Sequence, residues 1–159
     1  MSLKNNQIRV NNHIESLQYN VIGKVLQIGN DDQEFEQVWC ECTESFEWFF
    51  KDNYKGIPLT DKILGDILKF DKSPLGFCKQ IKVTLAKQES IELSNNNDAE
   101  GLWYVGFRQG DNVNPNKLHE NDFLFLKRDL KYLHELQNLY FSLTNEELEI
   151  PDEIYNIYE

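Results

Sequence analysis

The chain has 159 residues, a length typical of one compact domain with an ordinary hydrophobic core. Apolar residues make up 40% of it and aromatic residues 13%, which excludes an intrinsically disordered protein. Because 27 acidic residues oppose 16 basic ones, the net charge is -11 at pH 7. We therefore expect attraction to basic protein surfaces, and no direct binding to nucleic acid or to a membrane.

The N-terminal third is predicted to be β-structure. Residues 8–10 and 21–28 are rich in β-branched side chains and flank the turn-prone Asn11, so they predict the first two strands. Apolar side chains alternate with others over residues 38–42, at the period of a strand with one buried face. The aromatic residues 46–50 predict a short fourth strand.

One short central helix is predicted next. Thr60 suits an N-cap, and apolar residues recur at helical spacing as far as Leu68, which favours a helix of about ten residues. Further β-rich segments predict a hairpin and two more strands, at residues 81–85 with 91–93, at 102–107 and at 123–126.

The strongest periodic pattern lies near the C-terminus. Leucines recur at spacings of three and four from Leu130 to Leu143, which predicts a long amphipathic helix whose apolar stripe packs on a sheet. Thr144 and Glu147 have the spacing of a capping box, and so predict a further helical turn that ends before Pro151.

The order of these elements predicts an α+β fold. We expect an antiparallel sheet or a small, partly open barrel, packed by the long C-terminal helix and the short central helix. The prediction is a single compact domain over residues 1–159, in which residues 151–159 form an acidic tail prone to fraying.

Cysteine and histidine positions do not predict a metal site or a nucleophile. A zinc site from Cys40, Cys42, Cys78 and His119 lacks the usual pairs of ligands two to four residues apart. The odd number of cysteines, and the single residue between the first two, favour reduced thiols. The histidines, His13, His119 and His134, have no accompanying nucleophile motif.

Enzymatic activity is not predicted. No phosphate-binding glycine loop occurs, and carboxylates are so abundant that no pair stands out as an acid and a base. The sequence therefore predicts no catalytic residue, no metal and no cofactor.

Acidic residues concentrate in two segments. Residues 31–52 hold eight acids against Lys51 alone, and residues 135–159 hold seven acids with no Lys or Arg. Either these acids are ordinary solubilising surface, or they dock on a basic partner. For the docking interpretation, exposed aromatics among Trp39, Trp48, Phe49 and Trp103 would supply the anchors. The candidate partner-binding residues are Asp31, Asp32, Glu34, Glu36, Glu41, Glu44, Glu47, Glu146, Glu147 and Glu149.

Two segments carry a resemblance to other proteins. Residues 132–148 read YLHELQNLYFSLTNEEL, and residues 57–64 read IPLTDKIL. Both are similar to segments of small proteins, without an established activity, that phages, prophages and mobile elements of Bacteroidetes carry. The resemblance implies a phage or prophage origin and a shared fold, and it implies no site residue or cofactor.

Three functions remain as hypotheses. The first is a non-enzymatic, cytoplasmic protein that binds a basic host protein and inhibits a nucleic-acid-targeting defence nuclease, in the manner of an anti-CRISPR protein. The second is a structural or accessory phage protein that self-associates, and the third is a cryptic enzyme. The sequence does not predict the oligomeric state.

Overall fold

The computed structural model describes residues 8–30, 36–73, 76–81, 89–95, 102–108 and 123–158. These residues form ten β-strands in two antiparallel sheets of five strands, neither of them closed, together with a few short helices. The mixed, antiparallel class is confirmed, whereas the strands divide between two open sheets instead of forming one. Among the described residues, no helix is long and apolar enough to cross a membrane.

The described residues belong to two compact units. The first comprises Met1–Pro58, Tyr132–Leu139 and Ile150–Glu159, and the second comprises Leu59–Lys131 and Tyr140–Glu149. Each unit contains one of the two sheets. The prediction of a single domain stays a prediction.

The first sheet has the strand order β4-β3-β2-β1-β5. Its strands are β1 (His13–Ser16), β2 (Ile22–Asn30), β3 (Glu36–Glu41), β4 (Phe46–Phe50) and β5 (Tyr54–Gly56). Strands β2, β3 and β4 lie where the sequence predicts them. The predicted strand at residues 8–10 is wrong, because Asn11 takes a left-handed conformation with φ of 71° and the first strand begins only after it.

The core of the first unit packs against one face of this sheet. Side chains that point inward alternate along the strands as the period of two requires. Gly23 is needed in β2, because a Cβ there would lie 2.7 Å from the Cβ of Cys40. The buried residues of this core include Ile14, Val25, Val38, Cys40, Phe49 and Tyr54.

The second sheet is a meander with the strand order β10-β9-β8-β7-β6. Its strands are β6 (Asp71–Ser73), β7 (Gly76–Ile81), β8 (Glu89–Asn95), β9 (Trp103–Arg108) and β10 (Phe123–Leu130). A hairpin pairs β7 with β8, so its first strand begins five residues earlier than predicted. The predicted strand residues Val83 and Leu85 lie outside the described residues.

The central helix is shorter than predicted. It spans Lys62–Ile67, and the N–H of Leu68 donates to the oxygen of Ile63 five residues earlier, as in a π-helix. The hydroxyl oxygen of Thr60 accepts from the N–H of Ile63 at 3.2 Å, which agrees with its expected capping role. Lys69 ends the segment in a left-handed conformation with φ of 55°.

The C-terminal helix α1 spans Leu133–Thr144, twelve residues, so the long amphipathic helix is not confirmed. Leu130 belongs to β10, where it pairs with Trp103. At the start of α1, a carboxylate oxygen of Glu135 accepts from the N–H of Tyr132 at 3.0 Å and caps the first turn.

The capping box predicted after the helix is wrong. Thr144 accepts from the N–H of Glu146, two residues on, and Asn145 takes a left-handed conformation with φ of 56°. No helix follows until Asp152–Asn156, a 3₁₀ turn that comes directly after Pro151. Ile154 in this turn is fully buried.

Candidate functional site

Four aromatic side chains lie on one face of the hairpin β3–β4. Trp39 on β3 stands directly opposite Trp48 on β4, and the pairs on either side place Phe46 and Phe50 in the same row. Residues directly opposite each other in a sheet share a face. The alternate residues of both strands, such as Cys40 and Phe49, point into the core. We call the set of Trp39, Phe46, Trp48 and Phe50 the aromatic face.

The aromatic face is exposed although its members are large and apolar. Phe46 is 55% exposed, Phe50 45% and Trp48 37%. The Trp39 ring stacks on Phe46, with centroids 6.1 Å apart, and contacts Trp48 at 5.1 Å. Such pairs stabilise the hairpin, but they leave the outer surface of the rings open to water.

Covering this face releases substantial free energy. A buried aromatic side chain contributes about 150–250 Å², so burying the exposed parts of Phe46, Trp48 and Phe50 removes roughly 300 Å² from water. At about 25 cal/mol per Å² this is worth roughly 7 kcal/mol before the costs of association. The aromatic face can therefore anchor a partner.

Three of the predicted partner-binding acids lie in the hairpin that carries the aromatic face. Glu41 pairs with Phe46 across the two strands and so shares the aromatic face, whereas Glu47 pairs with Cys40 and points to the opposite face. Glu44 is exposed in the turn that joins the strands. We call Glu41 and Glu44 the acidic rim. Aromatic rings beside carboxylates match the chemistry of arginine and lysine side chains, which stack on rings and pair with acids.

The other predicted acids fall into three groups. Asp31, Asp32 and Glu34 lie outside the described residues, and Glu36 opens β3. Glu146, Glu147 and Glu149 are exposed and belong to the second unit. Among the described side chains, only the acidic rim lies beside exposed aromatics. The hypothesis that both acidic segments share a partner stays a prediction.

The C-terminal segment covers another part of the same sheet. His13 and Glu15 are buried although they lie on the side of β1 opposite to the core residue Ile14. The hydroxyl of Tyr158 donates to Glu15 at 2.5 Å, and Lys55 forms an ion pair with Glu15 at 3.0 Å. Tyr158, in the predicted tail, therefore contacts the sheet, while the aromatic face stays exposed.

The surroundings of Cys40 on β3, and of Cys42 just after this strand, disfavour a reactive thiolate. Burial raises the pKa of the Cys40 thiol well above its usual range. Burial and then the negative charge of Glu47 raise the pKa of Cys42 to about 11. A thiol that stays protonated at neutral pH is a poor metal ligand and a poor nucleophile. Among the residues that the structure describes, no three His, Cys, Asp or Glu side chains are grouped to hold a metal ion.

The two described histidines, His13 and His134, pack within the first unit. Burial and then the charge of Lys24 lower the pKa of His13 to about 4, so its ring is neutral at pH 7. Its Nδ1 lies 3.1 Å from Nε2 of Gln137 on α1. His134 is buried and stacks on Tyr132 with ring centroids 5.7 Å apart. His119 lies outside the described residues.

Comparison with protein-family models, curated proteins and solved structures finds no match for this chain. The assignment of a site therefore depends on the geometry of the hairpin itself.

The sequence pattern predicts only part of the aromatic face. Of the four aromatics named as possible anchors, Trp48 is exposed and Trp39 is half-buried, whereas Phe49 and Trp103 are buried. Phe46 and Phe50 are not among the predicted anchors. The period of two groups Phe46 and Phe50 with Trp48, but it does not show which phase of the strand faces the core.

Proposed function

We propose that this protein is a non-enzymatic binding protein of a phage or mobile element, and that it docks on a basic surface of a host protein. The observation that supports this proposal is the exposure of Phe46, Trp48 and Phe50 beside the acidic rim. Tyr, Trp and Phe are enriched at the cores of interfaces, and Trp is among the residues that dominate binding energy there.

The charge of the chain defines the kind of partner. With a net charge of -11, the protein is attracted over a distance to positively charged surfaces, which speeds association. Near contact, arginine side chains of the partner stack on the rings while carboxylates of the acidic rim pair with them. The rings thus supply affinity, and the acids supply rate and selectivity.

A nucleic-acid-targeting defence nuclease is the partner that we propose. Such an enzyme holds nucleic acid in a positively charged channel, and an acidic protein that occupies this channel competes with the substrate. The resemblance of residues 132–148 to proteins of phages and mobile elements is consistent with an inhibitor of this kind.

A capture experiment tests the proposal. Tagged wild-type protein and the variant Trp48→Ala are incubated with lysate of a Bacteroidetes host, and captured proteins are identified by mass spectrometry. Tyr19→Ala is the matched control, since Tyr19 is 51% exposed but lies outside the aromatic face. Circular dichroism and thermal melting verify that all variants fold.

We expect wild type and Tyr19→Ala to capture a basic nuclease, with recovery falling as salt screens the charges. Trp48→Ala should capture it about tenfold less. The purified nuclease should then lose cleavage activity when the wild-type protein is added. Capture that does not depend on Trp48, or a captured nuclease that cleaves at its full rate, would contradict the proposal.

A further inference from the structure

Strand β4 forms one edge of the first sheet. The opposite edge, β5, continues into a segment that pairs with the start of α1: Leu133 donates to the oxygen of Ile57, and Pro58 bridges to Tyr132. Strand β4 pairs with β3 on one side, and within the described parts of the chain no strand pairs with its other side.

The register shows which backbone groups of β4 point outward. The N–H of Cys42 donates to the oxygen of Ser45 at 2.8 Å, so these two residues form a hydrogen-bonded pair. Hydrogen-bonded and non-bonded pairs alternate along an antiparallel ladder. Because the register from this turn to Phe50 has no shift, Glu47 and Phe49 bond to β3. The backbone groups of Phe46 and Trp48, and the N–H of Phe50, consequently point away from the sheet, since the oxygen of Phe50 opens the 3₁₀ turn Lys51–Asn53.

This edge lacks the usual protection against pairing. Natural edge strands carry lysine, proline or a bulge that prevents addition of another strand. Strand β4 has the sequence FEWFF, with one charge, no proline and no bulge. The outward backbone groups and the exposed rings therefore belong to the same three residues.

We propose that the β4 edge accepts an extended, basic segment of the partner as an additional antiparallel or parallel strand, an inference that rests on the proposed function. The backbone of this segment would bond to the outward groups of Phe46, Trp48 and Phe50. Its side chains alternate, so that one set covers the aromatic face and the other lies beside Glu47.

Charge favours a basic partner over a second copy of this chain. Edge-to-edge pairing of two copies brings together two acidic rims and two molecules of net charge -11. A segment with Lys or Arg at alternate positions instead places cations beside Glu47. The flanking Glu41 and Glu44 add attraction of the same sign.

A pair of variants at Phe50 separates strand addition from side-chain docking. Phe50 has φ of -82°, close to the value that proline imposes, and Phe49 before it is in an extended strand. Phe50→Pro and Phe50→Ala both remove the ring, but only proline also removes the outward N–H. The ratio of their affinities therefore reports this one backbone donor.

The probe is a synthetic peptide in which lysine alternates with valine, titrated into isotope-labelled protein and followed by NMR. We expect the amide signals of Phe46, Trp48 and Phe50 to shift and their hydrogen exchange to slow. We expect Phe50→Pro to bind about fivefold more weakly than Phe50→Ala, the effect of one backbone hydrogen bond. A peptide in which glutamate replaces lysine should not bind.

Three outcomes would overturn strand addition: no binding of the lysine peptide, equal affinities of the two Phe50 variants, or unprotected amides with shifts of the indole signals alone. Dimerisation of the free protein through β4 would assign the edge to a second copy and would also overturn it. The proposed docking function is tested separately by the capture experiment. It stands if capture of the host protein requires Trp48, and it fails if capture does not depend on Trp48.

Discussion

Acidification should weaken the fold through one histidine. His13 is buried, and its pKa falls from the ordinary 6.5 to about 4 because burial and Lys24 disfavour the charged ring. The unfolded chain therefore binds a proton at a higher pH than the folded chain does. The stabilisation from the neutral ring is complete above pH 6.5 and is lost as pH falls towards about 4. Its size is about 3 kcal/mol.

The variant His13→Gln isolates this contribution, since glutamine is polar and does not titrate. Urea unfolding of both proteins near pH 7 and near pH 4 gives the change in the free energy of unfolding for each. We expect the wild-type protein to lose about 3 kcal/mol more than the variant. If both proteins lose the same stability on acidification, the burial of a neutral His13 against Gln137 is refuted.

Two further variants test the packing and the charge of the first unit. Gly23→Ala should lower the free energy of unfolding by about 1–3 kcal/mol, because its Cβ would meet Cys40. Gly29→Ala is the control, because no atom lies within 4 Å of its added Cβ. Urea unfolding measures both variants, and an equal loss of unfolding free energy in the two would disprove the close contact at Gly23. Glu44→Lys should slow association with the captured host protein about two- to tenfold at low salt, measured by surface plasmon resonance. Asp66→Lys changes the charge equally and should leave that rate unchanged.

Short strands set by distant partners could not be predicted from the sequence. Strand β5 has three residues, too few for a periodic pattern, and it exists because Ile14, Glu15 and Ser16 of β1 pair with it. Strand β1 itself contains His13, Glu15 and Ser16, polar residues that the sequence alone would place at the surface. Tyr158 and Lys55 are the polar partners that allow Glu15 to be buried. Tyr158 lies 143 positions after Glu15 in the sequence.

The leucine spacing predicts a start of the C-terminal helix that is too early. Leu130 continues the leucine spacing of α1, yet its backbone pairs with Trp103 of β9. The chain stays extended through Lys131, whose oxygen accepts from the N–H of Leu59 at 2.9 Å. Local spacing cannot show such a pairing, which depends on a strand far away in the sequence.

The acidic rim could be predicted from the sequence, but the full set of residues in the aromatic face could not. The sequence FEWFF is apolar in both phases of the strand period, so it does not reveal which rings face the core. The pairing of Phe49 with Val38 in the core decides the phase. Only then do Phe46 and Phe50 belong to the exposed surface.

Site-specific photo-crosslinking in host cells tests the central claim most directly. The photoreactive amino acid p-benzoylphenylalanine replaces Phe46 in one protein and the equally exposed Tyr19 in another. If the aromatic face docks on a basic host protein, light should yield an adduct with that protein from position 46 and none from position 19. No adduct from position 46, or equal adducts from both positions, would contradict the account.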